Sequence, residues 1–600
     1  MIGDRVAQGQ TRIAERQATV PLARVLAVGR RVATGYWAEI MSIGLLLLMA
    51  ANFLSVLPRK AITVDEVVHI PAGYFHLVEW NFTFNAEHPP LVKMWAALPL
   101  LLIQPTMIPL PADPDPDTVT RAHRLGVQFW EANRERFELM WFWSRVPMVA
   151  ITLALGAAIF VYARQLFGPR AGLLAVALFS VEPTVLAHGR VVHTDVPAAL
   201  AYLVFFFALY GYVRAPTLRR TLWLGLASGL APVTKYSMLA LVPVIGLAVL
   251  TCAWIAPRLG WKRVPLALHA VVMVLIAVFV LNAAYFLQRP PLTEADVTWL
   301  GIVSPGRFDA LMFIFGSFSP VVPPYFLFGA YKVYMHNTWG HAASLLGQYG
   351  ERGWWYYFPI AFALKTTIPF LLLSVAALGW ASWRLLRSRE TVFVSLLAPF
   401  ALYVALSATS HMNIGVRHFL PAFPFLFILG GALLDRMLGL RLRRAMIAVT
   451  ALCLAWMFVE SGRAYPDYMA YMNELAWEHP HWYYLSDSNV EWGDDIPDLA
   501  RYLRARDETA VRGAFANGWS LFGLYDVEYL DMVQMPKATL PQTRYVAIGA
   551  SFLNGSTVYV REYDGGRPVD HVEWDRFAEY RSRTPEAVFG RSIYLYRASD

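Results

Sequence analysis

This chain is short of cysteine and short of charge. It has 2 cysteines in 600 residues, Cys252 and Cys453, and both fall inside long apolar runs. No disulfide framework is available to the regions between those runs, and no redox pair is suggested. Charged residues make up 16% of the chain, where soluble domains carry about a quarter. That shortage excludes a soluble globular protein of this length. No cleavable leader is expected, and the sequence shows no internal repeat and no basic patch with base-reading chemistry. The first apolar run is too long for a leader and has no small-residue cleavage site. The net charge of +8 therefore does not point to nucleic acid as a partner.

What is abundant is apolar side chain, 57% of the sequence. Apolar runs recur at 37–57, 146–163, 171–187, 196–213, 238–256, 264–285, 357–380, 391–409, 418–434 and 445–459. Runs of this length cross a hydrocarbon layer of about 30 Å. A shorter run at 221–234, interrupted by Gly229 and Pro232, reads as one more helix. The fold class expected is a polytopic α-helical membrane protein with about eleven transmembrane helices. Arginine and lysine in short loops set the orientation. The N-terminal segment 1–35 holds Arg5, Arg12, Arg16, Arg24, Arg30 and Arg31. Threading from a cytoplasmic N-terminus puts Arg164, Arg170, Arg214, Arg258, Lys262, Arg387 and Arg444 on that same side. The expected location is the plasma (inner) membrane, multi-pass. Residues 36–460 form the membrane domain, with large external loops at 58–144 and 286–356.

The tail, 461–600, is a different material. It has charge throughout, short β-like runs ("TRYVAIGA", "STVYVREY", "SIYLYRAS") and a helical stretch at 495–506. It reads as a small extracytoplasmic α/β domain, periplasmic if the cell has two membranes. Its densest polar signature is "DSNVEWGDD" at 487–495. Asp494 or Asp495 there suits a helix cap before Pro497 as well as it suits binding. In the first loop, 91–104 is apolar but too short to span, so an interfacial helix is expected.

Ionisable side chains at membrane depth are costly and are functional candidates by default. Here they are Asp65-Glu66, Glu87-His88, Lys93, His193, Asp195, Lys235, Lys365 and Arg417-His418, from several segments but always at the outer ends of spans. Adjacent carboxylates on a helix point about 100° apart, so one of Asp65 and Glu66 can face a cavity while the other caps or orients. Asp195 opens a span, where capping competes with chemistry. Lys365, about two turns into its helix, suits a cavity facing an anion, and the planar fork of Arg417 suits phosphate. Lys93, Lys365 and Arg417 are the candidate phosphate contacts; Glu87, His88 and His193 are candidate contacts to sugar or acceptor. The histidines show no metal-ligand spacing. No cofactor is required, and a divalent metal is left open.

"DE" at 65–66, then "EHPPLVK" at 87–93, resembles the protein O-mannosyltransferases. The wider group, GT-C fold polyprenyl-phosphate-sugar transferases, includes the lipid A aminoarabinose transferases. "SRVPMV", "LFGPRAGLLAVAL" and "GRVVHTD" (144–195) continue the likeness, which covers roughly 36–240. "LLGQYGERGWWYYFPIAFALKTTIP" and "DSNVEWGDD" look like segments of bacterial members of the group. The resemblance implies a polyprenyl-phosphate-linked sugar as donor and an extracytoplasmic acceptor (protein hydroxyl, glycolipid or polysaccharide), with inversion. It implies Asp65 as base, Glu66 orienting the acceptor, and Asp195 and Lys93 as matches to the second family acid and the HPPL lysine. This chain shows no β-trefoil insertion between its middle spans and has the α/β tail instead, which leaves a protein acceptor in question. The competing class is a transporter or flippase for lipid-linked saccharides, without covalent chemistry; a scaffold presenting the tail is a third.

Overall fold

The computed structural model describes residues 35–110, 118–255, 263–535, 539–564 and 567–598. The basic N-terminal segment, Arg258 and Lys262 lie outside the described residues.

The chain is a helical membrane protein with a small sheet-bearing tail. Nine helices among the described residues are long and apolar enough to cross a membrane. Two of the eleven expected spans are not among them, and a third is divided. The run 171–187 is interrupted: helix Pro169–Ser180 stops, and Pro183–His188 starts afresh with Pro183 at its first position. Proline there supplies the right φ and needs no backbone partner. The run 221–234 is helical over the 17 residues Leu218–Thr234, and packs against Arg263–Ala283. The expected span 357–380 is also divided. Tyr357–Lys365 ends, and Ile368–Ser388 starts with Pro369 at its second position. Pro369 has no N–H to give the Lys365 carbonyl and its ring would clash with it, which disfavours one continuous helix here. Helices approach closely where side chains vanish. A Cβ on Gly431 would lie 2.6 Å from the Ala171 carbonyl oxygen, the small-residue contact that substitutes for a hydrophobic drive in lipid.

The first external loop folds into helices. Helix α1 (Val64–Glu79) follows the first span, and α2 (Pro90–Ala97) and α3 (Leu100–Ile103) take up the apolar stretch expected at the interface. Pro90 is the first residue of α2 and Pro89 its cap. Proline thus serves here mainly as a helix start.

In the tail, five strands form one mixed sheet: β1 (Ala510–Ala514), β2 (Glu528–Asp531), β3 (Tyr545–Gly549), β4 (Ala587–Phe589) and β5 (Ile593–Arg597). Their order is β2-β1-β3-β5-β4. β1 runs parallel to both β2 and β3, and β5 is antiparallel to β3. "TRYVAIGA" and "SIYLYRAS" supply β3 and β5. "STVYVREY" instead enters a separate hairpin, Tyr559–Asp564 with Arg567–Val572.

The tail is joined to the first loop by one apolar core. Val67, Ile70 and Trp130 share a buried cluster with Leu499, Val511 and Phe515. Backbone bonds reinforce it: Ala61 N–H donates to Asp494 O (2.9 Å) and Val64 N–H to Trp492 O (3.0 Å). Lys60 is buried between Asp467 and Asp495. Those acids hold its ammonium above the usual lysine range against the opposing effect of burial. Asp494 pairs with buried Arg190 at 3.2 Å. The expected helix cap is therefore corrected. Helix Ile496–Arg504 has no side-chain cap bond, because the Asp495 carboxylate is taken by Lys60 and Ser592.

Candidate active site

The segment that carries Asp65 is fixed on every side before any ligand arrives. Thr63 is extended and caps α1, and Glu66 reaches back to accept its N–H at 2.8 Å. Glu66 is fully buried. It accepts from Arg145 Nε (2.8 Å) and Nη2 (2.6 Å), and from Val192 N–H (2.8 Å). Arg145 also donates to the carbonyls of Lys60 and Ala61, at 2.9 and 2.6 Å. A buried pair this fully bonded holds its place, and losing either partner strands a charge. One position earlier, the Asp65 side chain turns out of this lock into a cavity. The helical rotation between neighbours does the sorting.

The cavity has a volume of about 720 Å³, within the range of small-molecule sites. It lies at the end of the helix bundle where α1, the start of helix Asp195–Arg214, Lys235 and the turn Val416–Ala422 converge beneath the tail. Arg417 is its centre. Its Nη1 donates to Asp65 Oδ2 at 2.7 Å and lies 3.6 Å from Asp195 Oδ2. Its Nε donates to Ser488 Oγ at 2.9 Å. The Trp492 ring lies 4.1 Å from its guanidinium carbon, a cation–π seat. Two residues of the tail motif thus hold the arginine. Lys235 completes the group by pairing with Asp195.

Of the residues expected from the sequence, Asp65, Asp195, Arg417, Glu87 and His88 line the cavity. Asp195 is the first residue of its helix, after Thr194 at the cap. Its carboxylate faces Lys235, Arg417 and His193 Nδ1 (2.9 Å). His193 stands behind it, buried, with Nε2 donating to the His188 carbonyl at 2.9 Å; it orients Asp195 and does not line the cavity. Glu66 is likewise moved from the reacting surface to the support.

Lys93 and Lys365 lie apart from the cavity. Lys93 Nζ donates to Asn85 O at 2.6 Å and is 1% exposed. Lys365 Nζ donates to Met469 O (2.7 Å) and Asn489 O (2.5 Å). Neither lines the cavity. Lys93 is expected at phosphate from its match to the HPPL lysine, and Lys365 from its depth in a helix. Here both satisfy loop carbonyls instead.

The cavity also collects residues that the sequence did not mark as site residues. Lys332 lies on helix Pro324–Trp339 in the second external loop, among aromatic residues that resemble an interfacial belt. His336 Nδ1 is 2.8 Å from Glu87 Oε1, and its Nε2 is 3.2 Å from His341 Nδ1. Asp487, Glu491 and Trp492 come from the tail motif; its density of polar residues was the available signal.

Electrostatics separate these groups. Burial would raise the Asp65 carboxyl, but the Arg417 charge and the nearby imidazoles His69 and His88 hold it below the usual carboxylate range. Burial also opposes ionisation of Glu87, yet the His336 hydrogen bond and the Lys332 charge hold it low. Burial, with His69 close by, pushes His88 down to about 3. Burial and His336 push His341 to about 3. At neutral pH both rings are neutral, while Asp65 and Glu87 are ionised. Burial raises Asp487 to about 6 despite Arg417. No group of three or more His, Cys, Asp or Glu suited to a metal occurs among the described residues.

Residues 141–282 match the family model described as dolichyl-phosphate-mannose-protein mannosyltransferase. The match bears out the resemblance over a stretch that holds Arg145, His193, Asp195 and Lys235. The Asp65-Glu66 pair and "EHPPLVK" precede it. Among solved structures, the chain is similar to ArnT from Cupriavidus metallidurans in the apo state. The identity is 14% and the TM-score 0.46, covering 90% of this chain and 98% of that one. For the same protein bound to undecaprenyl phosphate the values are 12%, 0.45, 92% and 100%. The Archaeoglobus fulgidus oligosaccharyltransferase in the apo form gives 11%, 0.45, 90% and 75%. No curated protein matches the sequence.

Proposed function

We propose that this protein is an inverting membrane glycosyltransferase that takes a sugar from a polyprenyl-phosphate donor and passes it to an extracytoplasmic acceptor hydroxyl. The observation that carries this reading is the Asp65–Arg417–Asp195–Lys235 group, two carboxylates and two cations around one cavity at the bundle end. The family model matched at 141–282 names a lipid-phosphate-linked sugar, which agrees with a site built for phosphate beside a base.

The chemistry needs little else. The acceptor oxygen attacks the anomeric carbon from the face opposite the phosphate. The carbon–oxygen bond to phosphate breaks and its electron pair stays on the phosphate. The hydroxyl proton passes to Asp65. A phosphate monoester leaves as a stable anion, so one carboxylate suffices where glycosidases use a pair. Arg417 and Lys235 meet the charge that develops on the leaving oxygen. Arg417 is paired with Asp65 in the free protein. An arriving phosphate competes for that guanidinium and loosens its hold on the carboxylate, so donor binding prepares the base.

Helix Asp195–Arg214 has Asp195 at the cavity and Arg214 at its far end, and the order of the spans puts Arg164 and Arg170 on the side of Arg214. On this reading that end is cytoplasmic and the tail faces outward.

The test is donor binding. Arg417→Ala and Lys235→Ala should each weaken binding of a polyprenyl-phosphate sugar by about 10- to 100-fold, the usual range for a lost charge-assisted bond. Lys93→Met and Lys365→Met should leave donor affinity within about threefold and lower the melting temperature instead. Equilibrium binding to protein in lipid nanodiscs separates the two pairs. Undiminished affinity in Arg417→Ala and Lys235→Ala together would remove the phosphate site.

A further inference from the structure

The tail sheet brings a second, chemically different wall to this cavity. Its topology says where to look. The chain leaves β1 for β2 on one side and returns to β3 on the other, so the connections diverge at the C-terminal ends of β1 and β3. In open α/β sheets that divergence opens a crevice where ligands bind. The loops that follow these two strands, Phe515–Ser520 and Ala550–Thr557, both reach the cavity.

The chemistry of the crevice says what it takes. Backbone N–H groups at such a place commonly hold an anion. Here the chain fills that role itself. Glu491 Oε1 accepts Ala516 N–H at 2.7 Å, and Oε2 accepts Ser551 N–H at 2.8 Å. Gly549 lies against this carboxylate so closely that any Cβ would fall upon it. The donors that would meet a phosphate or carboxylate are therefore occupied. Neither loop contains a Lys, Arg, Asp, Glu or His, their sequences being "FANGWS" and "ASFLNGST". What the loops offer is one large ring, hydroxyls and amides. Trp519 is 57% exposed although it lines the cavity. Thr557 Oγ1 is buried with no hydrogen-bond partner. Tyr559, just beyond, adds a second ring.

We infer that this crevice is the acceptor subsite and that its ligand is an uncharged saccharide, whose hydroxyl is the nucleophile. Aromatic faces stack on the apolar C–H face of a sugar ring, while hydroxyl and amide groups bond its edge. The loops carry no charged side chain, and burial pushes the Glu491 carboxyl behind them up to about 8, so the wall favours a neutral polyol over an ionic one, since an ion there would lose hydration without gaining a partner. A peptide acceptor fits less well. Extended peptides usually add to a free sheet edge, and the edge strands here, β2 and β4, do not line the cavity. The cavity is thus divided between a charged donor side around Arg417 and an uncharged acceptor side around Trp519.

This inference rests on the glycosyltransferase reading, and one experiment keeps the two apart. Full-length protein in nanodiscs is applied to an array of neutral glycans, uronic-acid glycans and serine/threonine peptides, with polyprenyl phosphate binding measured on the same preparation. The expected result is binding to a subset of the neutral glycans, weakened about tenfold or more in Trp519→Ala. Trp519→Tyr, which keeps a ring, should recover most of it, and neither variant should alter polyprenyl phosphate affinity. If polyprenyl phosphate binds but no neutral glycan does, or if Trp519→Ala binds glycans as well as the parent, the acceptor assignment is overturned. Retention of peptides or of uronic-acid glycans in place of neutral ones overturns it equally. Failure to bind polyprenyl phosphate would instead count against the donor reading.

Discussion

Asp65→Asn should reduce glycosyl transfer by about 10²- to 10⁴-fold, the usual contribution of a general base, while the donor still binds. The substitution keeps the size of the side chain and its hydrogen bond from Arg417 Nη1, now 2.7 Å from a carboxylate oxygen. It removes the lone pair that takes the acceptor proton. The protein should still fold, because Arg417 keeps its bond to Ser488 and its seat on Trp492 when the Asp65 charge is lost. A second readout follows from the pairing. Arg417 keeps the Asp65 carboxyl below its ordinary range in the free protein, so kcat/KM should remain level well into acid as far as Asp65 is concerned. Arg417→Gln removes that charge, and the acidic limb of the remaining activity should move to higher pH. Full-rate transfer by Asp65→Asn would mean that another group accepts the proton.

Its neighbour should behave in the opposite way. Arg145→Met should destabilise the protein by about 3–5 kcal/mol, the usual cost of leaving one partner of a buried pair unmatched. Arg145 and Glu66 are both fully buried and 2.6 Å apart. Glu66→Gln should be milder, since the amide keeps part of the bonding to Thr63 and Val192. The double variant should recover much of the loss, because an apolar or neutral replacement of both partners is often tolerated. The pH dependence has a definite sign. Burial raises the Glu66 carboxyl, but Arg145 more than offsets this, so the folded value lies below the unfolded one. Its stabilisation is therefore complete above the unfolded carboxylate pKa of about 4.3 and declines as pH falls toward the folded value. Thermal unfolding of the four proteins between pH 3 and 7 checks both statements. Equal stability of parent and Arg145→Met would show that the pair is not structural.

The contrast between these neighbours shows which parts of the site the sequence carried. That Asp65 and Glu66 cannot share one role follows from helical geometry, and the structure assigns one to the cavity and one to the support. Which is which depended on Arg145, 79 residues away from Glu66, and on Arg417, 352 residues away from Asp65. Pairings over such distances leave no local signature. The spans were legible from apolar length, except where Pro183 and Pro369 divide them, since hydropathy sums do not register a backbone break. The placement of Lys93 and Lys365 was illegible for a related reason. A buried ammonium announces that it has partners but not what they are, and carbonyls of Asn85, Met469 and Asn489 are invisible in a side-chain pattern. "DSNVEWGDD" stood out as polar and dense. Its real work is tertiary: Ser488 and Trp492 hold Arg417, Glu491 bridges two sheet loops, the Asp494 side chain pairs with Arg190, and the Asp494 carbonyl and Asp495 carboxylate bind the segment before Asp65.

The fate of the lipid phosphate separates transfer from transport most directly. Donor carrying a labelled sugar is added to the protein in liposomes with an acceptor glycan, and the lipid products are resolved by mass spectrometry. Glycosyl transfer requires polyprenyl phosphate to appear one-for-one with sugar joined to the acceptor, with almost none formed by Asp65→Asn. Intact polyprenyl-phosphate sugar recovered in full, merely moved between leaflets by parent and Asp65→Asn alike, would contradict it.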